Sequence, residues 1–88
     1  MRYERAKTGE WVELSGCADL PMRDLFALDE SIKDAFAIAK TVITDWHMRA
    51  KGGELAVGDM EGLSLKQWLW LKKQIAEAAK DEALDPEA

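Results

Sequence analysis

The sequence predicts a small α+β domain, mostly α, in which a short N-terminal β-hairpin packs on two longer amphipathic helices joined by short helical turns. Three observations predict it. Residues 10–14 alternate polar and apolar side chains, the period of a strand with one buried face. Apolar residues recur at helical spacing from Ile32 to Trp46 and again from Leu65 to Ala79. A Gly-punctuated linker, from Lys51-Gly52-Gly53 to Gly62, separates those two stretches. At 88 residues the chain is a single domain, set at 1–83, with 84–88 as a frayed tail. A chain this size buries about 60–65% of its unfolded surface, so its stability is modest.

The hairpin comes first. Tyr3 and Arg5 alternate with Glu4, Thr8-Gly9 supplies a turn, and Trp11 and Val12 favour an extended backbone. Two strands alone are marginal in water, so the hairpin must pack on something else. Ser15-Gly16 ends it. Pro21, at a first helical position where its missing N–H costs nothing, opens a short helix with Met22, Leu25 and Phe26 inward. Asp29 caps a longer helix whose stripe is Ile32, Ala35, Phe36, Ala39, Val42, Ile43 and Trp46. That rod is about 30 Å long for roughly 20 residues. Lys40, Arg49 and Lys51 lie towards its end, where cations suit the dipole, and Gly52-Gly53 stops it.

Residues 54–57 read as extended and 58–62 as a turn of helix. Ser64 caps the last helix, which runs to about Glu82 before a polar tail containing Pro86. On a helical wheel Leu65, Trp68, Leu69, Ile75, Ala76 and Ala79 share one face, with Leu71 at its edge. Trp70 falls almost opposite, flanked by Lys66 and Lys73 with Gln67 near. Two readings of Trp70 stand: it packs beneath the hairpin, or it is an exposed anchor for a partner, since Trp is enriched among interface hot spots.

Nearly half the residues are apolar and a third are charged, a soluble globular composition. The net charge of −5 disfavours binding to a phosphate backbone, so no nucleic-acid partner is expected. No segment approaches the ~20 apolar residues of a membrane span. The N-terminus is positive but has no apolar run after it, so neither a membrane partner nor a secretory signal is expected. The single cysteine, Cys17, cannot form an internal disulfide and fits a reducing cytoplasm.

Chemistry-bearing patterns are sparse, and the sequence predicts no enzyme, no metal and no cofactor. Cys17 reads as a half-buried small residue, because a nucleophile wants a His placed to activate it. The one histidine, His47, stands near Asp45 and Arg49 without HxxxH or CxxC spacing. No G-x-S-x-G elbow and no phosphate-binding loop is present. Asp29-Glu30 and Asp59 with Glu61 sit where helices begin and serve caps and dipoles. Residues 62–68 are similar to the turn and recognition helix of a helix-turn-helix, with Lys66, Lys72 and Lys73 towards phosphates. Against that, Gly58 stands where a small packing residue, usually Ala, would precede the turn. Acidic mimicry, inhibiting a host enzyme with clustered carboxylates, is a further alternative. Here the acids are spread along the chain and interleaved with lysines.

Four stretches carry a family resemblance: residues 9–14 with Trp11-Val12 and Leu14, residues 19–24 with the Arg23-Asp24 pair, Thr44-Asp45-Trp46, and residues 55–63 leading into another helix. Together they resemble the tail assembly chaperones of long-tailed bacteriophages across most of the chain. Trp46 and Arg23-Asp24 are the best matches. The short length is a departure, since such proteins are often longer and many carry a frameshifted extension. The resemblance implies a protein-binding factor in the host-cell cytoplasm that keeps the aggregation-prone, helical tape-measure protein soluble and helps recruit tail-tube subunits. The expected docking surface is Trp70 with Leu71 and Met60, flanked by Lys66 and Lys73. Exposed apolar surface there also invites a homo-oligomer.

Overall fold

The computed structural model describes residues 1–30 and 32–84. The Ile32 side chain and Pro86 lie outside the described residues, as does the expected tail apart from Leu84.

The expected hairpin forms. Strand β1 (Arg2–Glu4) pairs antiparallel with β2 (Trp11–Leu14), Tyr3 opposite Val12. Gly9, at φ 75°, supplies the left-handed backbone the loop needs, and its amide closes on the Arg5 carbonyl at 3.1 Å. Alternation sends Val12 and Leu14 into the core, both fully buried, and leaves Trp11 and Glu13 on the outer face.

A single 3-10 turn (Cys17–Asp19) leads into helix α1 (Met22–Glu30), followed by α2 (Ile32–Val42). Three expectations are corrected here. Asp29 does not cap a second helix; it lies inside α1, and its carboxylate meets Lys72 Nζ at 2.8 Å. Met22 and Phe26 do not point inward. Helix α1 buries Leu28 and half-buries Leu25, leaving Met22 and Phe26 about 60% exposed. The long rod ending at Gly52-Gly53 does not form either, because the helix stops at Val42.

The chain then continues as strand β3 (Ile43–His47), antiparallel to β2, so the sheet has three strands in the order β1-β2-β3. Four β-branched residues in a row, from Thr41 to Thr44, disfavour helix and suit a strand. The register shifts between Glu13 and Leu14, so Thr44 is an extra residue in β3. That bulge turns Thr44 and Asp45 both outward and brings Ile43 and Trp46 both inward. The buried residues are therefore spaced by three, which imitates a helical turn. A small antiparallel hairpin, β4 (Arg49–Ala50) with β5 (Gly53–Glu54), turns through Lys51-Gly52. A 3-10 segment (Val57–Gly62) comes next and buries Met60.

Helix α3 (Leu65–Leu84) begins with a capping box: the Gln67 amide donates to Ser64 Oγ at 3.2 Å, and the Ser64 amide donates to Gln67 Oε1 at 2.8 Å. At 20 residues it spans about 30 Å and organises the molecule. From Ala18 to Phe36 the chain runs along it in the opposite direction. The contacts in order are the Ala18 amide on Glu82, Asp29 on Lys72, and Phe36 edge-on to Trp68 at 5.0 Å. The hairpin side meets α3 elsewhere on its circumference, through Glu10 on Gln67 and Arg5 over Trp70. Packing from both sides turns the buried arc to Gln67, Trp68, Leu71, Ile75, Ala78 and Ala79. Leu65, Leu69 and Ala76, expected inward, are exposed. The core-facing arc is thus rotated by about 80° from the expected one, somewhat less than one residue step.

Candidate functional site

The residues expected to form a docking surface are not brought together. Leu71 and Met60 are core residues, 0% and 1% exposed. They support the fold and offer nothing to a partner. Trp70 is half-buried on the hairpin side of α3, with the Arg5 guanidinium 5.8 Å from its ring centre. Lys66 and Lys73 remain exposed but line different concavities.

The first concavity is a groove of about 310 Å³ between α1 and α3, lined by Leu25, Leu28, Asp29, Lys72, Lys73 and Ala76. Its apolar lining is Leu25 and Leu28 from α1 and the small Ala76 from α3. The Asp29–Lys72 ion pair ties its two walls together. On the α1 wall Met22 and Phe26 are one turn apart and wind towards Asp29. On α3 Leu65, Leu69, Lys72 and Ala76 succeed one another at helical spacing along the same face. Large apolar side chains stand exposed on both helices, Met22 at 62% and Phe26 at 59% on α1 and Leu65 at 66% and Leu69 at 48% on α3; none of them lines the groove itself, and Leu65 lines a separate concavity with Phe36, Leu63 and Trp68. Sequence reasoning placed all four inside, since an apolar stripe reads the same whether it meets the core or a partner.

The second concavity, about 690 Å³, opens on the hairpin side where β4–β5 meets the start of α3, and Arg5, Arg49, Lys51 and Lys66 line it. At its base lies a buried polar network that periodicity does not reveal. Glu10 and Gln67 are the buried polar residues of the described chain, 4% and 8% exposed. Glu10 accepts from Arg5 Nη1 at 2.6 Å, from Gln67 Nε2 at 2.7 Å and from the Arg49 amide at 2.9 Å. Gln67 Nε2 also donates to the Arg49 carbonyl at 2.6 Å. Burial pushes the Glu10 carboxyl up. The hydrogen bonds from the Arg49 amide, Gln67, Arg5 and Thr8 outweigh it and hold the group below its ordinary value. The capping-box spacing of Ser64 and Gln67 was the signal that could have marked Gln67.

The nucleophile and metal candidates sit apart from both concavities. Cys17 is fully buried, and burial pushes its thiol up to about 11, so it stays protonated. His47 is held by Glu54, with Nδ1 at 2.6 Å from Oε1, and stacks on Trp11 across the β2–β3 pair. Among the described residues no group of three or more His, Cys, Asp or Glu side chains is placed to hold a metal ion, and no helix is long and apolar enough to cross a membrane.

No protein-family model matches the chain, no curated protein matches it, and no solved structure matches it.

Proposed function

We propose that this chain is a non-enzymatic, protein-binding factor of phage tail assembly that takes hold of an amphipathic helix of the tape-measure protein or a surface of the tail-tube protein. The observation that carries the protein-binding part is the apolar α1–α3 groove, on two helices that also leave Met22 and Phe26 and Leu65 and Leu69 exposed. An apolar floor left open between two helices of a small domain is costly in water and marks a contact site. A groove between two helices accepts a third helix through anchors spaced three and four residues apart. The tail-assembly part rests on the resemblance of residues 9–14, 19–24, 44–46 and 55–63. In this reading the docking anchors are Phe26 and Leu69 rather than Leu71 and Met60.

The acidic-inhibitor alternative rests on carboxylates that the sequence spreads along the chain and interleaves with lysines. The helix-turn-helix alternative needs an α-helix before the turn. The chain has a 3-10 segment there, kinked at Asp59.

The test is co-expression of the tagged chain with a phage tape-measure protein and, separately, with a tail-tube protein, then capture at moderate and high salt. Retention of either protein at high salt, lost in Phe26→Asp with Leu69→Asp, supports the reading. Retention unchanged by that double variant rules out the groove as the docking site. Failure to retain either phage protein removes tail assembly, and recovery of one host enzyme instead promotes the inhibitor alternative.

A further inference from the structure

We propose that the cleft between the hairpin loop, the β4–β5 hairpin and the start of α3 binds an acidic segment of a protein partner, a stretch carrying closely spaced carboxylates. The cleft lies on the hairpin side of α3, away from the α1–α3 groove, so this inference does not rest on the tail-assembly reading.

The charge distribution points to it. The chain has 12 Lys and Arg against 17 Asp and Glu, yet Arg5, Arg49, Lys51 and Lys66 converge on this one cleft. Only Arg5 is neutralised there, by Glu10 at 2.6 Å. The exposed side chains of Arg49, Lys51 and Lys66 make no ion pair among the described residues. Two carboxylates stand close enough to have answered them, and both are committed elsewhere. Glu10 is saturated by Arg5, Gln67 and the Arg49 amide. Glu54 stands opposite Arg49 in the β4–β5 pair, but its carboxylate is turned onto His47. Three positive side chains therefore face solvent together.

Two further features suit a carboxylate ligand. The start of α3 brings the positive end of a 20-residue helix to the cleft, and its first turn holds no acidic residue to compensate. The base is also rigid. Gln67 is fixed at once by the capping box, by Glu10 and by the Arg49 carbonyl, so Arg49 and Lys66 are held on one frame before any ligand arrives. The Arg49 guanidinium can take a carboxylate through two parallel N–H donors, and Lys51 and Lys66 add point charges beside it.

A nucleic acid fits less well. Phosphate backbones need cations spread along a track. Here the cations are confined to one cleft.

The experiment uses the full chain and three labelled probes: a short peptide alternating Glu and Ser, the same peptide with Gln for Glu, and oligothymidylate. Fluorescence anisotropy at low salt should show binding of the Glu peptide and not of the Gln peptide. Arg49→Gln with Lys66→Gln should weaken it at least about fivefold. Lys33→Gln with Lys40→Gln removes the same charge from α2 and should change binding less than about twofold. Thermal melts check that both variants are folded. Equal binding of the Glu and Gln peptides overturns the proposal, as do equal losses in the two variants. Tighter binding of oligothymidylate than of the Glu peptide overturns it in favour of nucleic acid.

Discussion

Gln67 makes three connections through one side chain: its oxygen caps the Ser64 amide, and its nitrogen serves Glu10 and the Arg49 carbonyl. Replacing it with Leu keeps the volume and removes every one of those bonds. Gln67→Leu should therefore cost about 2–4 kcal/mol, because a buried carboxylate loses a donor and the helix loses half its cap. Urea unfolding measures it. Glu10 also gives stability a pH dependence. Its carboxyl is held below the ordinary value of 4.5, so its contribution is complete above that pH and is lost as pH falls through the lower, folded value. Acid titration of the unfolding midpoint should show this loss, and Glu10→Gln should flatten that part of the curve while lowering stability at neutral pH.

The second half of the expected long helix is the clearest case of an element that sequence misassigns. Val42, Ile43 and Trp46 satisfy the helical period, but in the structure a bulge at Thr44 produces the same spacing inside a strand. The β-branched run from Thr41 to Thr44 carried the contrary signal. Pairing with β2 decides the outcome, because β2 would otherwise present a bare edge. The hairpin was legible because alternation, turn residues and strand propensity agreed there. Helix α3 was legible in extent, and Ser64 was legible as its cap. Its buried face was not, because two sets of neighbours share the helix and apolar residues exceed what the core accepts. The candidate site was legible only as separate residues. Lys66, Trp70 and Lys73 share one stripe of α3 and reach the surface or its margin there, but Lys66 and Lys73, two turns apart, line different concavities. Strand β3 is anchored to the segment after β5 by Trp46, whose indole N–H donates to the Leu55 carbonyl at 2.8 Å. Trp46→Phe should cost about 1–3 kcal/mol by leaving that carbonyl unpaired and a gap beside the ring. Hydrogen exchange should show faster opening around Leu55.

At the scale of the molecule, α3 divides two surfaces of opposite character, an apolar groove on the α1 side and a cationic cleft on the hairpin side. The groove side should make the isolated protein associate at high concentration. Phe26→Asp with Leu69→Asp should suppress that association in sedimentation velocity and alter stability by no more than about 1 kcal/mol, since neither side chain is buried. The order in which β2, α1, α2 and β3 occur has a kinetic consequence. The central strand finds one partner, β1, across a short loop and the other, β3, only after the whole α1–α2 excursion. Closing that long loop is entropically slow unless the intervening helices shorten it first. In stopped-flow refolding, destabilising substitutions within α2, such as Ala39→Gly, should therefore slow folding. Truncations in the β4–β5 hairpin should mainly hasten unfolding. On this expectation the β2–β3 half of the sheet closes after α1 and α2 have shortened the loop between its strands.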